Sequence, residues 1–190
     1  MASTDLAPGF LVAAPALDCP FFRRTVVLLV EHNEEGSFGF VVNRETDVRF
    51  RQVLGEVGIE IDAAVPPEAP VMVGGPVSPE TGWILFDPHS GEGGDGEVFH
   101  LTDRLAVSAS LGTLEKLAAG EGPRRCIMLL GYAGWGSGQL EREMRDGAWI
   151  PVDLDPALVF DAPVDQRWSR ALAALGIDPA RVSGSGVASA

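Results

Sequence analysis

One segment of this chain indicates more about its fold than any other. It is Cys126-Ile-Met-Leu-Leu-Gly-Tyr-Ala-Gly-Trp-Gly-Ser-Gly-Gln-Leu-Glu-Arg-Glu-Met-Arg145. Its first part is apolar in the manner of a buried β-strand, and its middle part carries four glycines between positions 131 and 138. Its last part begins an amphipathic helix. Together these patterns predict a strand, a glycine loop at Gly134–Gly138 and a helix in direct succession.

Upstream of this unit the sequence predicts a β-hairpin. Two apolar runs rich in β-branched residues, Thr25–Glu31 and Phe38–Asn43, flank polar turn residues at 32–37. Runs of this length around a polar turn are typical of paired antiparallel strands.

Three segments carry apolar residues at helical spacing. We predict that the first is capped by Asp47 and ends at Gly58, that the second ends at Gly120, and that the third begins near Asp161 and ends at Gly176. The residues predicted to face the core are Phe50, Val53, Leu54, Val57, Leu111, Leu114, Leu117, Val164, Trp168, Ala171, Leu172 and Leu175.

Further strands are predicted at 71–73, 83–86, 98–101, 105–107 and 148–152. The segment 89–97 consists mainly of Gly, Ser, Asp and Glu without an apolar anchor, so it predicts an exposed flexible loop. Hairpins and helices that do not alternate regularly predict an α+β fold with a mixed sheet rather than a doubly wound one.

Length and charge limit the organisation and the partners. A chain of 190 residues with 46% hydrophobic composition suits one core, so we predict a single domain at residues 1–177 and a flexible tail at 178–190. The formal net charge of −13 repels a polyanion and therefore disfavours direct DNA binding.

The compartment is predicted from the cysteines and from the apolar segments. Cys19 and Cys126 form no disulfide framework and no Cys-x-x-Cys pair, which fits a reducing compartment. The segment before Cys19 holds Asp5 and lacks Lys and Arg, unlike a lipoprotein signal. Since no stretch reaches the roughly 18 apolar residues of a membrane helix, we predict a cytoplasmic protein without a membrane partner.

The sequence resembles the bacterial YqgE/AlgH family. The resemblance is carried by the motif Gly-Tyr-Ala-x-Trp-x-x-Gly-Gln-Leu-Glu at 131–141, and by matches at 10–17, 22–26, 31–33, 74–77 and 167–168, together with Gly39, Asn43 and Trp149. It implies a bifurcated, barrel-like mixed sheet with helices packed on it, and a link to transcription regulation without an assigned biochemical activity. The chain departs from the family at Cys19, where the family usually has Asp, and at its last residues.

The glycine segment is the candidate site. Backbone N–H groups between a strand and a helix are able to hold an anion, but the spacing is Gly-x-Gly-x-Gly and no Walker Lys follows, so a structural turn is the favoured interpretation. Glu141 lies where a capping glutamate belongs. The residues predicted to contact a ligand or partner are Arg24, Asn43, Tyr132, Trp135, Gly136, Gln139 and Glu141.

Other chemistry has weaker signals. His32 is predicted to be a turn residue, with a general base beside Asn43 as its alternative, and Cys126 a small core residue. No cofactor or metal is predicted, because the histidines show no ligand spacing. The leading hypothesis is a non-catalytic regulatory or binding protein, and the alternative is an enzyme or a nucleotide- or anion-binding protein using residues 131–143.

Overall fold

The computed structural model describes residues 6–61 and 68–182, and within them nine β-strands and six α-helices. The strands are β1 Gly9–Ala13, β2 Val26–Asn33, β3 Gly36–Val41, β4 Val71–Val73, β5 Val77–Phe86, β6 Val98–Thr102, β7 Leu105–Ser108, β8 Cys126–Gly136 and β9 Trp149–Val152. The helices are α1 Phe50–Glu56, α2 Leu111–Ala119, α3 Gln139–Arg145, α4 Pro156–Phe160, α5 Arg167–Ala174 and α6 Pro179–Val182.

The chain divides into two compact units. One contains the residues up to Asn43 together with those from Ala133, and the other is Arg44–Tyr132. Strand β8 therefore contributes its first seven residues, 126–132, to the second unit and its last four, 133–136, to the first. The single domain at residues 1–177 stays a prediction. Of the predicted tail, Pro179–Val182 forms α6 and residues 183–190 lie outside the described part of the chain.

The first unit is built on an antiparallel sheet in the order β8-β3-β2-β1-β9. Alternate side chains of these strands face one apolar cluster, since successive residues of a strand point to opposite faces. The cluster consists of Leu11, Ala13, Val27, Leu29, Val41, Ala133, Trp135, Leu140 and Trp149. Helix α5 is fixed to β1 by the hydrogen bond that Trp168 Nε1 donates to the Ala13 carbonyl at 2.8 Å.

The second unit has the strand order β6-β7-β5-β8, and β4 pairs with β8 in parallel. Its apolar cluster includes Phe50 and Leu54 of α1, Ile84 and Phe86 of β5, and Met128 of β8. Because β8 pairs with β4 and β5 along one part and with β3 along the other, the strands divide at β8. The predicted α+β class with a bifurcated mixed sheet and helices packed on it is confirmed.

The hairpin is tighter than predicted. Strand β2 extends to Asn33 and β3 begins at Gly36, so that only two residues form the turn. The Asn33 side-chain oxygen accepts hydrogen bonds from the backbone N–H of Glu35 at 2.8 Å and of Gly36 at 3.2 Å, which closes the turn locally. His32 is a strand residue, and its predicted place in the turn is wrong.

The segment 89–97 is anchored, against the prediction of a loop without anchors. Gly94 donates its N–H to Thr113 Oγ1 at 3.2 Å, and a Cβ added at Gly94 would lie 1.9 Å from the Gly112 carbonyl carbon. The glycines therefore permit close approach to α2, where the sequence pattern suggested only flexibility.

Helix ends account for most other differences. Three residues predicted to face the core lie at helix ends and are exposed: Val57 (45%) after the last position of α1, Leu111 (59%) at the first position of α2, and Leu175 (43%) after the last position of α5. Helix α1 begins at Phe50, and the side chain of Gln52 accepts the Arg49 N–H at 2.7 Å, so the predicted cap at Asp47 is wrong. Helix α4 was not predicted.

Candidate functional site

The predicted glycine loop is mostly strand. Gly134, Trp135 and Gly136 lie opposite Phe38, Ser37 and Gly36 of β3 in an antiparallel ladder. Only residues 137 and 138 separate β8 from α3. The loop predicted over the first three of these positions is therefore wrong, because a glycine pattern typical of a turn is here paired with a neighbouring strand.

Glu143 joins the end of β8, α3 and β9. Its Oε2 accepts hydrogen bonds from Trp135 Nε1 at 3.0 Å and Trp149 Nε1 at 2.8 Å, and its Oε1 accepts one from Gln139 Nε2 at 2.8 Å. Gln139 Oε1 in turn accepts the N–H of Gly136 at 3.0 Å. We call Trp135, Gln139, Glu143 and Trp149 the Trp–Glu cluster.

The two indoles of this cluster are buried among aromatic rings. Trp135 and Trp149 are 6% and 4% exposed, and their rings meet edge to face with centroids 5.8 Å apart. Phe22 stacks on Trp135 at 6.3 Å and meets Trp149 edge-on at 5.4 Å. Edge-to-face and offset stacking are the favourable arrangements of such rings, so the cluster holds Trp135 in one orientation.

Sequence reasoning did not select Glu143 as a member of the site. The available signal was its position four residues after Gln139 on the same helix, where side chains meet on one face. Its partner Trp149 lies six residues further along the chain, and only the antiparallel pairing of β9 with β1 places that indole.

Arg24 and Asn43 meet at the other end of the hairpin. Asn43 Nδ2 donates to the Arg24 carbonyl at 2.8 Å, and Asn43 Oδ1 accepts the Val26 N–H at 2.8 Å. Arg24 has a φ of 57°, and its guanidinium carbon lies 5.4 Å from the centroid of the Trp168 ring. Asn43 thus stabilises a left-handed backbone residue, and the cation–π contact directs the Arg24 side chain onto α5.

His32 lies between Ser37 and Glu141. Its Nδ1 is 2.8 Å from Ser37 Oγ, and its Nε2 is 3.8 Å from Glu141 Oε1. The alternative of a general base beside Asn43 is wrong, because Asn43 bonds Arg24 and Val26 at the opposite end of β2. Glu141 faces His32, and Gln139 is the side chain that accepts a backbone N–H at the start of α3.

The seven predicted contact residues therefore separate into groups. Trp135, Gly136 and Gln139 belong together at the Trp–Glu cluster, Arg24 belongs with Asn43, and Glu141 with His32. Tyr132 lies in the part of β8 that belongs to the second unit and pairs with Val77. Since side chains alternate along a strand, Tyr132 and Trp135 point to opposite faces of β8. Their role in ligand or partner contact stays a prediction.

The solvent-facing side of the hairpin holds a pocket of about 250 Å³. Its lining includes Glu31, Asn33 and Glu35, which are exposed, and Gly36 and Phe38, which are half-buried. We call this pocket the hairpin trough.

Two ionisable groups outside this region have shifted pKa values. Hydrogen bonds from the Arg104 guanidinium, the shortest at 2.8 Å, hold the pKa of the buried Asp87 carboxyl below its ordinary value. Desolvation raises the pKa of the Cys126 thiol to about 11. The side chain packs against the apolar cluster of the second unit but is only half-buried, so the prediction of a core residue is met in part.

The described residues present neither a metal-binding cluster nor a membrane-spanning helix. Residues 6–61 and 68–182 contain no group of three or more His, Cys, Asp or Glu side chains placed to hold a metal ion. No helix within the described part of the chain has the length and apolar character needed to cross a membrane.

Known proteins similar to this chain cover almost its whole length. A family model described as AlgH-like matches residues 10–180. A UPF0301 protein of Anaeromyxobacter dehalogenans is 46% identical over 183 residues, covering 94% of this chain and 92% of that protein. A UPF0301 protein of Methylococcus capsulatus is 39% identical over 173 residues, covering 91% and 90%.

Two solved structures share the architecture. The solution structure of the AlgH protein from Pseudomonas aeruginosa has a TM-score of 0.77 and 36% identity, and covers 100% of this chain and 98% of that one. A crystal structure of a Corynebacterium diphtheriae protein has a TM-score of 0.66 and 25% identity, with coverage of 90% and 87%.

Proposed function

The chain belongs to the AlgH-like family, and on that premise we propose that it is a non-catalytic binding protein with a regulatory role. The proposal rests on one observation around residues 131–143: the side chains that face inward and those that face solvent have different roles. The inward side chains of the Trp–Glu cluster bond to one another, and the neighbouring strand β2 with the hairpin turn presents the exposed polar side chains of Glu31, Asn33 and Glu35. A rigid surface loses little conformational entropy on binding, which favours recognition.

The regulatory part of the proposal is an indirect one. The resemblance to the YqgE/AlgH family implies a link to transcription, and a net charge of −13 favours a protein partner over direct contact with DNA. We place this activity in the cytoplasm, which is supported by the two free cysteines, Cys19 and Cys126.

Partner capture followed by quantitative binding tests this function. The tagged protein is used to isolate partners, and each candidate is then purified and titrated against the protein by calorimetry. A saturable complex of fixed stoichiometry is expected. In parallel, promoter fragments are titrated at low and high salt. Absence of any saturable protein complex would overturn the binding function. Tight, salt-sensitive, sequence-specific DNA binding would show that the regulatory link is direct.

A second candidate, an enzyme that uses residues 131–143, is favoured by one observation. Ser37, His32 and Glu141 follow one another in the order of a nucleophile, a base and a carboxylate, with the first pair at hydrogen-bond distance. A fluorophosphonate probe should then add to Ser37, and the Ser37→Ala variant should remain unlabelled. Mass spectra without a Ser37 adduct would remove this candidate.

Ligand binding at the same residues is tested by thermal shift. A nucleotide, phosphorylated metabolite or acyl compound at 100 times its dissociation constant should add about 2.7 kcal/mol to the free energy of unfolding. The Ser37→Ala and Glu141→Gln variants should lose that shift if the ligand contacts these groups. A shift that both variants retain would locate the ligand elsewhere.

A further inference from the structure

We propose that the hairpin trough binds an arginine side chain in a basic, extended segment of the protein partner. This inference rests on the proposed binding function and adds to it the chemistry of the partner.

The register of three strands defines which groups share the outer face. Glu31 of β2 lies opposite Phe38 of β3, and Phe38 lies opposite Gly134 of β8. Residues directly opposite each other in a sheet point to the same side. A carboxylate, an aromatic ring and a position without a side chain therefore lie in one row on the outer face, where Glu31 and Phe38 line the trough and Gly134 lies beside Phe38.

The next row begins with Asn33 of β2 and is bare backbone on β3 and β8. Gly36 lies opposite Gly136, and both belong to the same face as Phe38, two residues away on β3. Gly36 is required by the fold, since a Cβ there would lie 2.3 Å from the Trp135 carbonyl oxygen. Gly136 is not required for space, because an added Cβ would meet nothing nearer than Gln139 Oε1 at 3.9 Å. A strand glycine with open space above it permits close approach by another chain.

The charged rim selects a cation. Glu31 and Glu35 are exposed, and Asn33 Nδ2 donates to Glu31 Oε1 at 2.6 Å, which orients that carboxylate. Phe38 packs edge-on against Phe40 with centroids 5.0 Å apart, which orients its ring. A guanidinium is planar, donates in a fork to carboxylates and stacks on aromatic rings, so arginine matches this set of groups better than lysine.

The test uses synthetic peptides as probes. Fluorescein-labelled Gly-Arg-Gly-Arg-Gly-Arg-Gly is titrated with the full-length protein by fluorescence anisotropy, in parallel with peptides in which Lys or Glu replaces each Arg. We expect the Arg peptide to bind about fivefold more tightly than the Lys peptide, because only guanidinium forms the bidentate and stacked contacts. The Glu peptide should not bind.

Variants separate the trough from general charge attraction. The double variant Glu31→Gln/Glu35→Gln should weaken Arg-peptide binding about tenfold, since each exposed ion pair contributes about two- to fivefold. The matched control Glu56→Gln/Glu115→Gln removes the same charge from exposed helix positions and should weaken binding less than twofold, because charges that form no ion pair with the peptide are screened by salt. Gly136→Ala places a methyl group on the open backbone and should reduce binding at unchanged thermal stability.

Three results would overturn the inference: equal losses in both double variants, equal affinity for the Arg and Lys peptides, or full binding by Gly136→Ala. The proposed function fails separately, when no protein partner is captured. If a partner is captured and Glu31→Gln/Glu35→Gln retains its full affinity, the binding function stands and the trough alone is refuted.

Discussion

Replacing Glu143 is expected to destabilise the first unit more than replacing any exposed carboxylate. The Glu143 carboxylate accepts hydrogen bonds from the buried indole N–H groups of Trp135 and Trp149, and from the amide of Gln139. A buried donor that loses its acceptor cannot turn to water, so its desolvation is no longer compensated.

The size of the effect follows from the number and type of hydrogen bonds. Bonds to a charged group contribute about 1.5–3 kcal/mol each, and each buried donor left without a partner costs about 1–3 kcal/mol. The half-exposed amide of Gln139 is able to rehydrate, so Glu143→Ala should lower the free energy of unfolding by about 3–5 kcal/mol.

Glu143→Gln should cost less, about 2 kcal/mol, since one amide oxygen still accepts from the indoles. Its new NH₂ group would face the NH₂ group of Gln139. Gln139 cannot relieve this by turning its amide, because its oxygen already accepts the N–H of Gly136.

Urea unfolding followed by tryptophan fluorescence and near-ultraviolet circular dichroism measures this loss at constant m-value. Glu141→Gln on the same helix is the control and should stay within about 0.5 kcal/mol of wild type. A double-mutant cycle with Trp149→Phe, which keeps an aromatic ring and removes the N–H, should give a coupling of about 1–2 kcal/mol. A Glu143→Ala variant within about 1 kcal/mol of wild type would refute the structural role of the cluster.

Three further predictions concern the second unit. Hydrogen bonds from Arg104 lower the pKa of Asp87, so this stabilisation is present above the ordinary carboxyl pKa and is lost as the pH falls through the lowered value. Arg104 is half-exposed and can be hydrated, so Asp87→Asn should cost about 1.5–3 kcal/mol at pH 7 and flatten the acid limb of the stability curve, and an unchanged limb would contradict this. Gly131 has a φ of 71°, and a Cβ there would lie 2.6 Å from a backbone oxygen, so Gly131→Ala should lower the free energy of unfolding by at least about 2 kcal/mol. At Gly55 an added Cβ would meet nothing within 4 Å, so Gly55→Ala should stabilise α1 by up to about 1 kcal/mol in the same urea assay. With a pKa of about 11, the Cys126 thiol is only about 0.1% thiolate at pH 8, so iodoacetamide should modify it much faster in denaturant than in the native protein. Equally rapid modification of the native protein would refute the raised pKa.

Local patterns predicted most elements of the fold and failed where a distant segment decides the conformation. The apolar run at 71–73 coincides with β4, and Gly120 ends α2 in the left-handed conformation, because these signals act within a few residues. Gly134 and Gly136 carry the local signal of a loop, yet β3, about one hundred residues earlier in the chain, pairs with them. No periodicity within residues 126–145 contains that information.

The candidate site could be predicted to the same extent: local signals were informative, and contacts set by distant segments were not. The sequence pattern names Arg24 and Asn43 only as separate contact candidates, and the hydrogen bond between them depends on the left-handed backbone at Arg24. The contact of His32 with Ser37 follows from the hairpin register, and that register was missed because the turn was placed over six residues and has two. A shift in the turn changes every opposing pair of a hairpin.

Alternation along β8 explains how one segment serves both the interior and the surface. Ala133 and Trp135 point inward, where Trp135 bonds Glu143, and Gly134 and Gly136 point outward beside Phe38 and the trough. Because each residue belongs to one face, the two roles are separable by single substitutions. Glu143→Ala should destabilise the fold and impair every activity with it, whereas Gly136→Ala should leave stability intact and weaken only binding. If Gly136→Ala loses stability as Glu143→Ala does, the outward glycines serve only the fold. The proposed binding role of the trough would then have no support.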